Sequence, residues 1–428
     1  MMSYSAWRTT TTAALLIIST AFLVINWLSL GLIRNDFSHS LHGLVWLFCV
    51  VGGIGLLRRY LPYHDPLIFP LVMLLSGWGL VVIDRLAPVF ADRQVVWLIV
   101  SVVAMLVVAL FPQPLEWLRQ YRYTLLIVGL ALLLATILLG RNPSDPERLT
   151  NAPALWLGAG TIFFQPSEAL KIILVAFIAS YLAEQYPAQR AVELTGRQRS
   201  APSGRILGPM LLMWGICVVI LIWQRDLGTA ILFFIVFMML LYVATSYHRI
   251  LVLGSLLVLL AGLVGYQAFS VVQLRVDIWL NPWPEADGRA YQIVQSLLAF
   301  AAGGPFGQGV GQGSPGYIPV VHSDFAIAAL AEEWGLIGVL GVIACLCVVI
   351  LRGLRSAAQP NRRPFHALLA VGLSTMLGAQ SLLIMAGALK LVPLTGVTLP
   401  FLSYGGSSLL ASFIMIGLLL RISVQESS

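Results

Sequence analysis

The turn NPWPEADGRAYQ, residues 281–292, sets two carboxylates, Glu285 and Asp287, beside the guanidinium of Arg289. Carboxylates accept protons and hold divalent cations, while a guanidinium fork grips anions. The turn belongs to a longer stretch, Arg275–Gly335, with a glycine-rich run at 303–316 and a second acidic pair, Glu332–Glu333. That stretch is too polar to lie in lipid, so its backbone must be sheltered in protein or line a watery cavity. It is read here as the chemical site, and the apolar segments around it as its mount.

Other charges sit where charge is expensive. Glu168 and Lys171 open an apolar segment in FFQPSEALK. Their i,i+3 spacing lets them neutralise each other on one helix face. Such a pair either lets the helix insert or lines a cavity entered by a polar head group. Pro166 and Ser167 just ahead supply a helix start signal. Arg225 and Asp226, in WQRDLGTA, join two apolar segments with almost no loop, and the Gly228-Thr229-Ala230 run favours close helix packing there. Glu332 and Glu333 project about 100° apart on a helix, so at most one faces a given cavity. The plainer role for one of them is a buried hydrogen-bonding group. Gly311–Gly316 satisfies G-x-G-x-x-G, yet Pro315 lies inside it and no strand precedes it, which excludes a dinucleotide site. The glycines from Gly303 to Gly316 suit tight turns and close backbone approach, and the amides there form a candidate cradle for a pyrophosphate.

The elements that must position these groups are helices in a membrane. The 428 residues are 59% hydrophobic and 10% charged, with mean hydropathy +0.90. A soluble domain carries roughly 25% charged residues, so that class is excluded. A β-barrel would show short alternating segments, and none occur. Instead apolar runs long enough to span a bilayer recur at 13–33, 41–57, 67–83, 95–111, 123–139, 169–183, 209–224, 228–243, 250–269, 325–351, 366–390 and 400–420. The fold class is therefore an all-α polytopic membrane protein built as one bundle. Ala13–Ile33 exceeds a signal-peptide core and no small-residue cleavage site follows it, so it counts as a helix. Pro112–Tyr121 has the composition of an interfacial anchor. Pro187–Ser203 reads as a mobile, arginine-bearing loop. No inverted internal repeat of the transporter kind is visible.

Arginines cluster in alternate loops, at Arg58–Arg59, at Arg190, Arg197, Arg199 and Arg205, and at Arg352, Arg355, Arg362 and Arg363. The positive-inside rule then puts both termini in the cytoplasm and the Arg275–Gly335 stretch on the outer face, away from nucleotide. This asymmetry accounts for the net charge of +7. Scattered arginines of this kind exclude a nucleic-acid partner. Cys49, Cys217, Cys345 and Cys347 lie inside apolar runs as packing residues, which implies neither disulfide nor metal site.

FQPSEALK (164–171), QRDLGTA (224–230), NPWPEADGRAYQIVQSLLAFAAGG (281–304), HSDFAIAALAEE (322–333) and PLTGVTLPFLSYGGSSLL (393–410) together resemble the SEDS family of shape, elongation, division and sporulation proteins. The likeness is to its RodA and FtsW types and closer to RodA, and it runs from about Asp65 to Leu420. It implies a ten-helix core at 65–428, two additional N-terminal helices within 1–64, and a large extracytoplasmic loop at about 270–324. It also implies a peptidoglycan glycosyltransferase that polymerises lipid II, an undecaprenyl-pyrophosphate-linked disaccharide peptide, in elongation or division. The implied partner is a class B penicillin-binding protein acting as transpeptidase. The donor sugar of such a reaction is α-linked and the product β-1,4-linked, so one inversion by the acceptor 4-hydroxyl suffices. That step needs a general base near the hydroxyl and positive charge near the departing pyrophosphate.

Against the family's W-x-D-P-x-G-x-G-Y-Q motif, Trp283, Gly288, Tyr291 and Gln292 align, and the family's aspartate position holds Glu285. Asp287 stands two residues later. Glu285 is one methylene longer, and a misplacement near 1 Å can cost about a hundredfold. Glu285 is the leading candidate for the base, Asp287 the second, and an inactive site the third. By charge, Arg275, Arg289 and Lys390 are candidates for the pyrophosphate, with Lys171 a further one through the cavity. Glu168, Lys171, Arg225 and Asp226 are candidates for a head-group path. The motifs add Tyr291, Gln292, His322, Asp324, Ser403 and Tyr404, although Asp324 also fits a helix N-cap. Magnesium or manganese would suit a carboxylate facing phosphates, but no dedicated ligand cluster requires a cofactor. Two rival functions are a lipid II flippase and a non-catalytic scaffold for the transpeptidase.

Overall fold

The computed structural model describes residues 4–37, 40–142, 154–159, 162–194, 204–359 and 362–424. Fifteen α-helices occur among them: α1 (Tyr4–Arg34), α2 (Ser40–Tyr60), α3 (Ile68–Leu86), α4 (Pro88–Leu110), α5 (Gln113–Gln120), α6 (Arg122–Leu139), α7 (Pro166–Leu194), α8 (Gly204–Trp223), α9 (Leu227–Thr245), α10 (Arg249–Ala268), α11 (Ser270–Leu280), α12 (Tyr291–Gly303), α13 (Ala326–Ala357), α14 (Pro364–Ala388) and α15 (Gly406–Ser423). Strands β1 (Leu157–Ala159) and β2 (Ile162–Phe164) form a small antiparallel hairpin. Eleven helices are long and apolar enough to cross a membrane, and α8 adds the shorter apolar run Leu207–Trp223. Each expected apolar segment thus has its helix, and the molecule is an all-α polytopic membrane protein.

Local chemistry sets many of the boundaries. Proline stands first in α4, α7 and α14, where its missing N–H would have had no partner anyway. Asp226 caps α9, its Oδ1 accepting the Thr229 amide at 3.1 Å. Helix α13 is broken at Gly335 (φ 70°, ψ −169°), a backbone state that glycine alone adopts without strain.

The chain forms two compact units. The first comprises 1–110, 265–352 and 380–428. Its centre is α3, buried on every side from Ile68 to Asp84 apart from Leu74, as befits a helix apolar all round. Helices α1, α2, α4 and α15 pack about it. Gly79 admits the backbone of the 391–405 segment, because a Cβ there would lie 2.6 Å from the Phe401 carbonyl oxygen. Asp65 pairs with Arg352, and its amide donates to the Ser423 hydroxyl oxygen. The rings of Phe22, Trp78 and Trp334 run edge-to-face from α1 through α3 to α13, and the Trp334 indole N–H donates to Asn26 at 3.0 Å. The second unit comprises 111–264 and 353–379. In it α7 packs against α6 and α9, and α8 against α9. Gln224 donates to the Leu133 carbonyl at 2.6 Å and to the Thr136 hydroxyl at 2.7 Å, tying the end of α8 to α6.

Three sequence expectations change. The last span begins at Gly406 rather than 400, because Pro400 and the Gly405-Gly406 pair break the helix and Ser403 and Tyr404 bond elsewhere. The stretch Pro187–Ser203 is helical to Leu194 as part of α7, and 195–203 lie outside the described residues. The segment at 270–324 is not a plain loop, since it holds α11, α12 and two short 3-10 turns. Pro112–Tyr121 folds as the short helix α5 with Trp117 and Tyr121 exposed, in keeping with an anchor.

Candidate active site

The first unit carries the acidic turn. Pro282 starts a 3-10 turn at Trp283–Glu285, and the Glu285 carbonyl accepts the amides of Gly288 (2.9 Å) and Ala290 (3.1 Å). The turn at 286–290, ahead of α12, brings Glu285 and Arg289, four residues apart, together. Arg289 Nη2 donates to Glu285 Oε1 at 2.6 Å and Nε to Oε2 at 3.1 Å, a two-point fork. Both side chains face outward, Arg289 the more exposed. The guanidinium holds the Glu285 carboxyl below the usual carboxylate range. Glu285 in turn raises Arg289, with Asp277 of α11 adding a smaller push. Asp287 is exposed at the tip of the turn, and Tyr291 and Gln292 are half-buried in the first turn of α12.

The segment before α13 makes a second cluster in the same unit. The His322 ring lies 4.9 Å from Phe90 and 5.6 Å from Tyr404, and Phe90 stacks on Tyr404 at 4.7 Å. The Tyr404 amide donates to the His322 carbonyl at 2.8 Å, and the Ser403 hydroxyl donates to the Ser323 carbonyl at 2.5 Å. Ser403 and Tyr404 thus hold the His322–Asp324 segment in place. Burial lowers the His322 imidazole and raises the Tyr404 phenol, the latter eased by Arg93. Burial also pushes the Asp324 carboxyl up, against the pull of the Ser323 hydroxyl and Arg275. Asp324 stands one residue too early to cap α13. Phe325 precedes its first residue and accepts the amides of Ala328 and Ala329. Lys390 closes this side with φ 58°, its carbonyl accepting the Trp279 indole N–H at 3.1 Å.

Several amides of the glycine-rich run are taken up by protein rather than left for a phosphate. Gln308 and Gly309 donate to the carbonyls of Glu332 and Glu333, at 2.9 and 3.0 Å. Gly304 and Pro305 accept from Leu336 and Ile337 beyond the α13 break. Both carboxylates of that pair are buried and bonded: Glu332 accepts the Ser314 amide at 2.7 Å and Glu333 the Arg85 Nε at 3.0 Å. Arg85 also donates to the carbonyls of Gly311 and Gly313. The pair therefore splices the run onto α13, and both glutamates rather than one play the bonding role.

In the second unit Lys171 donates to Glu168 Oε1 at 2.8 Å, with both side chains buried. The Gln165 amide donates to the Ser167 hydroxyl, which reaches Asp226 Oδ2 at 3.4 Å. Asp226 is buried, whereas Arg225 is exposed with φ 62°. Of the two residues expected to pack closely, only the aspartate does so.

Residues 63–428 match the FtsW, RodA and SpoVE family, described as cell cycle proteins. The chain belongs to this family. It is 38% identical over 396 residues to the peptidoglycan glycosyltransferase RodA of Mycobacterium tuberculosis, covering 89% of this chain and 82% of that one. It is 33% identical over 342 residues to a probable peptidoglycan glycosyltransferase FtsW of Halomonas elongata, covering 78% and 81%. A solved peptidoglycan synthase complex, described as coordinating polymerization and crosslinking, contains a chain that superposes with TM-score 0.67 at 27% identity, covering 84% of this chain and 97% of that one.

Within this FtsW/RodA-type fold, four neighbours of the expected residues were not singled out from sequence: Arg85, Phe90, Arg93 and Asp277. Arg85 had a signal, a cation directly after Asp84 at the end of an apolar run. Phe90 and Arg93 had none, since only folding brings the start of α4 to the HSDF segment.

Proposed function

We propose that this chain polymerises lipid II at the outer face of the cytoplasmic membrane, with Glu285 as the general base. The chain is a peptidoglycan glycosyltransferase of the RodA/FtsW type and a multi-pass membrane protein. The observation that carries the site assignment is the forked contact of Arg289 with Glu285 in the turn where the family motif has its acid. This turn offers an ionised proton acceptor and a cation for a departing diphosphate four residues apart. Arg275 and Lys390 lie on the same unit as further cations, while Tyr291, Gln292, His322 and Asp324 border the sugars. Ser403 and Tyr404 support the His322–Asp324 segment. Of the four second-unit residues considered for a head-group path, Arg225 alone is exposed, while Glu168, Lys171 and Asp226 are buried and bonded within the protein. A magnesium or manganese ion, if used, would be held between Glu285 or Asp287 and the diphosphate and would supply positive charge at the leaving oxygens, and no group of three or more candidate ligands occurs among the described residues. Both termini lie in the cytoplasm, and a class B penicillin-binding protein is the partner that crosslinks the product.

The test is purified chain with its transpeptidase partner and labelled lipid II. Glycan chains are expected to vanish in Glu285→Gln and to persist in Asp287→Asn. The reverse pattern moves the base by two residues. Normal polymer from the Glu285→Gln, Asp287→Asn double variant would leave a scaffold, and translocation into vesicles without polymer would leave a flippase.

A further inference from the structure

One guanidinium serves both ends of the proposed reaction. Arg289 offers Nη2 and Nε to the two oxygens of Glu285, yet it is also the exposed cation of the outer turn. The carboxylates that it feels are Glu285 and, less strongly, Asp277, itself contacted by the Tyr266 hydroxyl at 3.0 Å. An exposed pair of this kind is weak, so an anion with two charges can draw the guanidinium away.

We propose that Arg289 is shared between base and leaving group: it holds Glu285 in the unliganded chain, passes to the diphosphate of the lipid-linked donor on binding, and frees the carboxylate only when a donor is present. This rests on Glu285 being the base. With the donor in place, Glu285 takes the proton of the acceptor 4-hydroxyl while that oxygen bonds to the anomeric carbon. The bond from that carbon to the diphosphate oxygen breaks, and its electron pair leaves with the diphosphate, where Arg289 meets the charge. A carboxylate still gripped by a guanidinium is the weaker proton acceptor, so the transfer raises basicity when it is needed.

A double-mutant cycle on binding tests the idea, with the full chain and its partner in nanodiscs. The probes are undecaprenyl diphosphate and, separately, inorganic pyrophosphate. Glu285→Gln releases Arg289 and is expected to bind the lipid diphosphate about 3-fold more tightly. Arg289→Gln is expected to bind it more weakly, and Arg289→Lys to recover most of that loss. In the Arg289→Gln background, adding Glu285→Gln is expected to change nothing. A gain that survives without Arg289 reflects plain repulsion between carboxylate and diphosphate and overturns the proposal, as does no gain at all. Tightening of both probes, or of the lipid alone, supports it, while tightening confined to inorganic pyrophosphate overturns the lipid-borne assignment. Polymerisation by Glu285→Gln is a separate readout. Normal polymer would overturn the choice of base whatever the binding cycle shows.

Discussion

Two regions of the first unit are built from the same parts, two neighbouring carboxylates and one arginine, and they end as opposites. At Glu332–Glu333 the acids are buried, Arg85 pairs with one of them, and the amides of the glycine-rich run close around the pair. At Glu285–Asp287 the acids sit on a solvent-exposed turn, and their arginine is mostly exposed. The difference lies in solvent and in spare bonding capacity. A buried charge depends on protein partners, here the Arg85 guanidinium and the Ser314 amide, although Glu333 Oε2 itself makes no hydrogen bond among the described residues. An exposed charge is satisfied cheaply by water and can exchange partners. Carboxylates therefore mark chemistry only where the fold leaves them something to exchange.

The comparison breaks first at Glu285. Glu285→Gln is expected to lower polymerisation by about 10²–10⁴-fold with unchanged thermal melting, the range for a lost general base. Equal activity would put Glu285 in the same structural class as Glu333. Next, Arg85→Ala should lower folding stability by about 3 kcal/mol, because it strands the buried Glu333 carboxylate. Denaturation of the purified chain reads this, and an unchanged midpoint would mean that the buried pair is not structural. Gly335→Ala follows, at about 1–3 kcal/mol, since its φ of 70° is strained for any side chain and a Cβ would meet the Gly307 amide at 2.2 Å. In the second unit, Asp226→Ala should cost about 1 kcal/mol through loss of the α9 cap.

The smallest effect is in pH. Arg289 depresses Glu285, so the base stays ionised to lower pH than an ordinary glutamate, and activity falls as pH drops through that depressed value. Arg289→Gln removes the opposite charge and should move the acid limb of kcat/KM upward. A downward or absent shift would mean that the fork does not tune the base.

Much of the fold was legible because the signals were local. Apolar runs of bilayer length gave the helices, and the order of five motifs gave the likeness that the family match bears out. The boundaries that slipped did so for contacts distant in sequence. Pro400–Gly405 reads as apolar, but its place is decided by Gly79, by Ser403 bonding to Ser323, and by Tyr404 bonding to His322. The glycine-rich run looked like an anion cradle because glycine permits one. Only the position of α13 shows that several of its amides are taken.

Composition and pattern alone determined that this is a multi-pass helical protein, and its motifs gave the resemblance to the FtsW/RodA family that the match over residues 63–428 shows. Which carboxylate is free and which is locked was decided by the tertiary structure. Solvent access and hydrogen-bond partners come from residues far apart in the chain, as Arg85 and Glu333 are, and no local pattern records them.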